Sequence, residues 1–69
     1  MPDECIAIID EIIALRKAKG LTQRDLAKAA NLAQPAIARL ESKKAMPQLG
    51  TLLKVAAALD CQLDIVPAS

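Results

Sequence analysis

Few side chains in this 69-residue chain could do chemistry, and they are unevenly placed. The chain has no histidine and no glycine-rich phosphate loop, and neither Cys5 nor Cys61 has a visible base to activate it as a nucleophile. Asp3-Glu4 and Asp10-Glu11 are paired carboxylates, but neighbours on a helix point about 100° apart, so each pair reads as solvated surface. Two cysteines near opposite ends lack the paired spacing of a zinc site, and no histidine completes one. The sequence therefore implies no enzyme, no metal and no cofactor. What remains is a row of side chains that an amphipathic pattern leaves looking outward: Gln34, Ala36, Ala38, Arg39, Lys43 and Lys44. Their chemistry is hydrogen bonding and attraction of negative charge.

Charge supports that direction. Lys and Arg number nine against eight Asp and Glu, which is nearly neutral. All nine cations nevertheless fall within residues 16–54, where the only carboxylates are Asp25 and Glu41. Residues 1–15 and 55–69 are acidic. A polyanion could bind the middle of the chain while the ends face away, although charge alone fits ordinary solvated helix surface as well. With no aromatic residue, binding of single strands by base stacking is disfavoured.

The elements that must position this row are two short helices joined by a tight turn. Thr22 is suited to accept the first backbone N–H bonds of one helix, with Asp25 answering in a capping box. Leu26, Ala27 and Ala30 form its apolar face. Asn31 tolerates the left-handed backbone that ends a helix, and Gln34-Pro35 suits the start of the next, in which Ile37 and Leu40 face inward. Before this unit, Asp3 is a good N-cap for a helix whose inner face runs through Cys5, Ile8, Ile9, Ile12 and Arg16, with Gly20 as its stop. Ile6, Ile13 and Leu15 widen that apolar arc, either over the domain's own edge or toward another chain. After it, Met46 is expected to pin the loop and Pro47 announces a last helix with Leu49, Leu52, Leu53, Ala56 and Leu59 inside and Asp60 as its end. The period then changes: Cys61, Leu63 and Ile65 alternate with Gln62, Asp64 and Val66 as in a strand.

A chain of this length supports one small core, helped by a partner. No apolar run approaches the roughly 18 to 20 residues of a membrane span, and acidic residues stand where a signal peptide would be basic. The expectation is a soluble, cytoplasmic protein with buried free thiols.

Taken together, Gly20-Leu21-Thr22-Gln23, Leu26-Ala27, Ile37-Ala38-Arg39-Leu40-Glu41, Pro47 and Leu52-Leu53-Lys54-Val55-Ala56-Ala57-Ala58-Leu59 resemble the Cro and phage-repressor, or XRE, type of helix-turn-helix over about residues 9–60. The resemblance implies an all-α, lambda-repressor-like bundle of four to five helices, here with a short C-terminal β-strand. It divides the chain into a DNA-binding domain over residues 1–60 and a strand or tail over residues 61–69. It further implies that the third helix enters the major groove of double-stranded DNA, in a homodimer on a palindromic operator.

Carried onto this sequence, Gln23 and Arg24 lie at the DNA-facing start of helix 2, with Gln23 bonding a phosphate and bracing the reader. Gln34, Pro35, Ala36 and Arg39 match base-facing positions; Gln34 can pair with adenine and Arg39 with guanine. Lys43 and Lys44 match a loop that meets the backbone. Arg16 and Glu41 match an internal ion pair. Ala33 in place of a capping Ser or Thr, Pro35, and Ser42-Lys43 in place of a basic residue and glycine depart from the pattern. The final segment is similar to the C-terminal strand of small antitoxin-type members, and Leu63, Ile65 and Val66 are the expected dimerisation residues. Two functions stay open: a transcriptional repressor, or an antitoxin or adaptor whose main partner is a protein such as a toxin.

Overall fold

The first helix, α1, spans Asp3–Ala18 and is followed by three shorter ones in the computed structural model, which describes residues 1–68: α2 Gln23–Ala29, α3 Gln34–Glu41 and α4 Leu49–Ala58. This is the all-α bundle expected, with four helices among the described residues. The core consists of Ile9 and Ile12 of α1, Leu26, Ala27 and Ala30 around α2, Ile37 and Leu40 of α3, and Val55 and Leu59 of the α4 region. Alanines at two of these contact points, Ala27 and Ala30, let short helices approach closely without aromatic filling.

Local chemistry explains where the helices begin and end. Thr22 Oγ1 accepts from the Asp25 N–H at 3.0 Å while Asp25 Oδ2 accepts from the Thr22 N–H at 2.9 Å, so both halves of the capping box form. The Thr22 backbone N–H, followed by the Thr22 hydroxyl, stabilises the charged form of Asp25 and holds its carboxyl below the usual range, with Lys28 and Arg24 adding attraction. Gly20 takes φ 70° and Asn31 φ 57° where each was expected to stop a helix, and Asp60 does the same at φ 59°. Three ends share one hydrogen-bonding pattern. The Leu21 N–H donates to the Arg16 carbonyl, the Leu32 N–H to Ala27 and the Cys61 N–H to Ala56, in each case closing the last turn behind the left-handed residue. The fourth end, after α3, is made by Lys43 at φ 61°. There the Lys43 N–H reaches the Leu40 carbonyl only at 3.4 Å, and the Lys44 N–H turns to Ser42 Oγ at 3.3 Å.

Several expectations are corrected. Asp3 is the first helical residue of α1 rather than its cap, a position held by Pro2 without a side-chain bond. The inner stripe of α1 is Ile9, Ile12 and Arg16 with Ile13 and Leu15 packed beside it, whereas Ile8 is exposed. Leu49 and Leu53 are exposed as well, because α4 turns Val55, Ala56 and, at its end, Leu59 to the core instead. Met46 does not pin the loop into the core; it is largely exposed, with its Sδ 3.5 Å from Cys5 Sγ. Both thiols are free, but Cys5 is half-buried and Cys61 exposed.

The expected strand is absent from the single chain: residues 61–68 form neither helix nor ladder. Leu63 is half-buried against a groove of about 230 Å³ lined by Ile8, Ile12, Leu15 and Leu59, while Ile65 is 96% exposed and Val66 73%. A strand needs a neighbour to satisfy its N–H and C=O groups, and one copy of the chain offers none. Ser69, the last residue of the expected tail, lies outside the described residues.

The expected ion pair is formed. Arg16 Nε donates to Glu41 Oε2 at 2.7 Å and Nη2 to Oε1 at 2.9 Å, with side-chain exposures of only 11% and 6%. Arg16 Nη1 donates to the Leu21 carbonyl at 2.8 Å, so one guanidinium joins α1, the turn before α2 and the end of α3. Removing either partner strands a desolvated charge. Arg16→Met and Glu41→Leu made singly should therefore each cost about 3 kcal/mol or more, and the double replacement less than either. Denaturant titration of all four proteins measures this, and additive effects near zero would refute the coupling. The capping box gives a second expectation. Because the folded Asp25 carboxyl is the stronger acid, its stabilisation is present above the ordinary carboxylate range and is lost as pH falls through the depressed folded value. Thr22→Ala removes the acceptor of the Asp25 N–H and should cost about 0.5–2 kcal/mol near neutral pH, whereas Asp25→Ala removes the titrating carboxylate, and its thermal melts should converge with those of the parent protein in acid.

Candidate nucleic-acid interface

The exposed face of α3 is held in place by a chain of side-chain hydrogen bonds that begins in the core. Beyond Arg16 and Glu41, Gln23 Nε2 donates to Glu41 Oε1 at 3.0 Å, and Gln34 Nε2 donates to Gln23 Oε1 at 3.1 Å. Gln23 is the first residue of α2 and Gln34 the first of α3, so the link joins the starts of both helices at one surface. The structure thus brings Gln23 and Gln34 together with the internal pair. It also explains the bracing: an amide on α2 grips the first turn of α3, which has no side-chain cap because Ala33 stands at its N-cap.

The remaining candidates line the same region. Gln34, Pro35 and Arg39 are exposed, Ala36 and Ala38 half-buried, and Pro35 occupies the second position of α3, where its missing N–H costs no helical bond. Arg24 is exposed one residue after Gln23. Arg39 lies in the last turn of α3 and borders a cleft of about 250 Å³ shared with Met46, Gln48 and Thr51. The sequence alone did not place Gln48 and Thr51 beside Arg39. The available signal was Pro47, which places the start of α4 immediately after the loop that follows α3.

Charge is arranged more finely than the sequence suggested. Among the described residues, Lys43 pairs with Asp10 and Lys19 with Asp60, the latter at 3.2 Å. Lys17, Arg24, Lys28, Arg39, Lys44 and Lys54 have no carboxylate within salt-bridge distance among those residues. Lys43 and Lys44 are therefore different: the first is half-buried and shares its charge with α1, the second is exposed and unpaired. No helix of the structure is long and apolar enough to cross a membrane, among the described residues.

Comparison with known proteins agrees with this geometry. A helix-turn-helix family model matches residues 12–66. An uncharacterised HTH-type transcriptional regulator of Haemophilus influenzae is 44% identical over 62 residues, covering 90% of this chain and 63% of the relative. Antitoxin HigA1 of Mycobacterium tuberculosis is 38% identical over 64 residues, covering 93% of this chain and 43% of its own. The chain thus spans between about two fifths and two thirds of these curated relatives. A solved toxin-antitoxin module from Streptococcus pneumoniae superposes with a TM-score of 0.81 at 43% identity, covering 97% of this chain and 74% of that one. With the capping box, the braced α3 and the Arg16–Glu41 pair all in their expected places, the chain belongs to the helix-turn-helix family of the Cro and phage-repressor type.

Proposed function

We propose that this protein binds double-stranded DNA sequence-specifically through α3, as a homodimer on a palindromic operator, and represses its own or a neighbouring promoter. The observation that carries this reading is the exposed Gln34 and Arg39 on a helix braced from below by Gln23 and Glu41, beside cations without carboxylate partners. Planar side chains held at a fixed angle suit recognition of base edges, and Arg24 and Lys44 suit the phosphates on either side. An additional antitoxin role is favoured by the likeness to HigA1 and to the Streptococcus pneumoniae module. In that role a toxin-type protein is a further partner.

The dimer is proposed at the C-terminal segment. Two copies of residues 61–66 paired antiparallel about a two-fold axis would satisfy each other's backbone and cover Ile65, which a single chain leaves bare, on the face it shares with Leu63. The same axis would set two α3 helices about 34 Å apart, one turn of duplex.

Arg39→Ala should weaken binding by about 1–3 kcal/mol and relax preference at one base pair. Lys44→Ala should instead weaken all sequences alike and flatten the salt dependence by roughly one unit of slope. Lys43→Ala should change that slope less, since its charge is already shared with Asp10. Fluorescence-anisotropy titrations on selected and scrambled duplexes across a salt series separate the three, and an Arg39→Ala protein with intact base preference would remove α3 as the reader. For the dimer, Ile65→Asp places a charge on a side chain that the monomer already exposes, so the fold should be unaffected. Sedimentation should then show the variant as a monomer with weakened operator binding; a variant that stays dimeric would move the interface elsewhere.

A further inference from the structure

We infer that Glu41, although it lies beneath the surface and away from any base, decides whether Gln34 prefers adenine or guanine. This rests on the proposed reading of duplex DNA by α3. The argument is one of hydrogen-bond direction. The Glu41 carboxylate, gripped on both oxygens by Arg16, has no hydrogen to give and can only accept. The end of the Gln23 amide that meets it must therefore be the NH2, at 3.0 Å. That leaves the Gln23 carbonyl oxygen for Gln34, so Gln34 must turn its own NH2 inward, at 3.1 Å. Outward, Gln34 keeps a free carbonyl oxygen and one remaining N–H.

An acceptor beside a donor complements adenine, which offers the N6 amino group as donor and N7 as acceptor in the major groove. It opposes guanine, whose O6 and N7 both accept. Were the chain reversed, Gln23 would present its NH2 to Gln34, which would turn its carbonyl inward and direct two hydrogens toward the groove. That arrangement would suit guanine. An isolated glutamine is free to flip between these states, whereas the acceptor-only carboxylate two bonds away in the chain holds one of them. Its 6% side-chain exposure and double contact with Arg16 keep it from turning aside. Glu41 is in this sense a positioning residue, acting on the base through Gln23 and Gln34.

The test uses sites selected by the full chain from random duplex DNA. Gln34→Ala first identifies the base pair that Gln34 reads, where the selected base should be adenine with a preference over guanine of about tenfold or more. Glu41→Gln, which keeps the shape but can donate as well as accept, should bring that preference down to about twofold or less. Gln23→Met keeps the Arg16–Glu41 pair and cuts the chain one link further out, so it stays folded even if Glu41→Gln does not; it should relax the same base pair. In both variants the preference at the base pair read by Arg39 should persist, since general loosening of α3 would erode both positions together. An adenine preference unchanged in a folded Glu41→Gln protein, where a phosphate would be orienting Gln23 instead, would overturn the inference, and so would one unchanged in Gln23→Met with affinity lowered equally on all sequences. Equal relaxation at both base pairs would overturn it too. If Gln34→Ala relaxes no base pair at all, it is the reading of DNA by α3 that fails.

Discussion

The architecture depends on burying a guanidinium without leaving it unpaired. Arg16 stands at a position of α1 that the hydrophobic pattern would give to an aliphatic side chain, and it is 9% exposed. Its donors are shared between both oxygens of Glu41 and the Leu21 carbonyl. Those acceptors come from the end of α3 and from the turn ahead of α2, so the need to satisfy one charge fixes three segments in register. A hydrophobic side chain there could supply burial, but not direction. Because the pair is anchored, Glu41 can serve as the fixed end of the amide chain that runs to the surface of α3. Core and candidate reading surface are thus parts of a single polar network set in an otherwise apolar bundle.

The helix-turn-helix unit was legible in the sequence because its signals are local. Thr22 and Asp25, Gly20, Asn31 and Pro35 each dictate backbone geometry through their own atoms, and each appears where it was read. Faces were less legible. In α1, isoleucine or leucine occupies positions 6, 8, 9, 12, 13 and 15, so periodicity alone did not say which arc turns inward, and Ile8 was assigned to the wrong side. In α4 the leucines at 49 and 53 are as apolar as those that pack, and only the angle of the helix against its neighbours separates them. The C-terminal segment was misread for a different reason: alternation predicts which residues would share a strand face, but the ladder itself needs a second backbone.

For the candidate interface, residue types announced the exposed Gln34 and Arg39, and resemblance supplied Arg16 with Glu41. Neither the amide chain nor the difference between Lys43 and Lys44 could be read beforehand. Gln23 and Gln34 are eleven positions apart, and Lys43 meets Asp10 across 33, so both contacts exist only once α1, α2 and α3 have been assembled. The uneven distribution of charge seen in the sequence is likewise partly cancelled in space, because the acidic residues Asp10 and Asp60 come back onto two of the cations.

The helix stops leave room for engineering. Three of the four left-handed residues are not glycine, and an L side chain in that conformation carries strain of up to roughly 1–2 kcal/mol, less for Asn and Asp than for other residues. Glycine would relieve it, at a cost of about 0.5–1 kcal/mol in backbone entropy. Asn31 is exposed and its turn is closed by backbone bonds alone, so the exchange there disturbs little else. At Asp60 the change gives up only an exposed ion pair with Lys19, and such pairs contribute little. In a domain of this size each kilocalorie per mole gained raises the melting temperature by about 4–8 °C. The sequence thus holds an unused reserve of thermal stability in two surface turns.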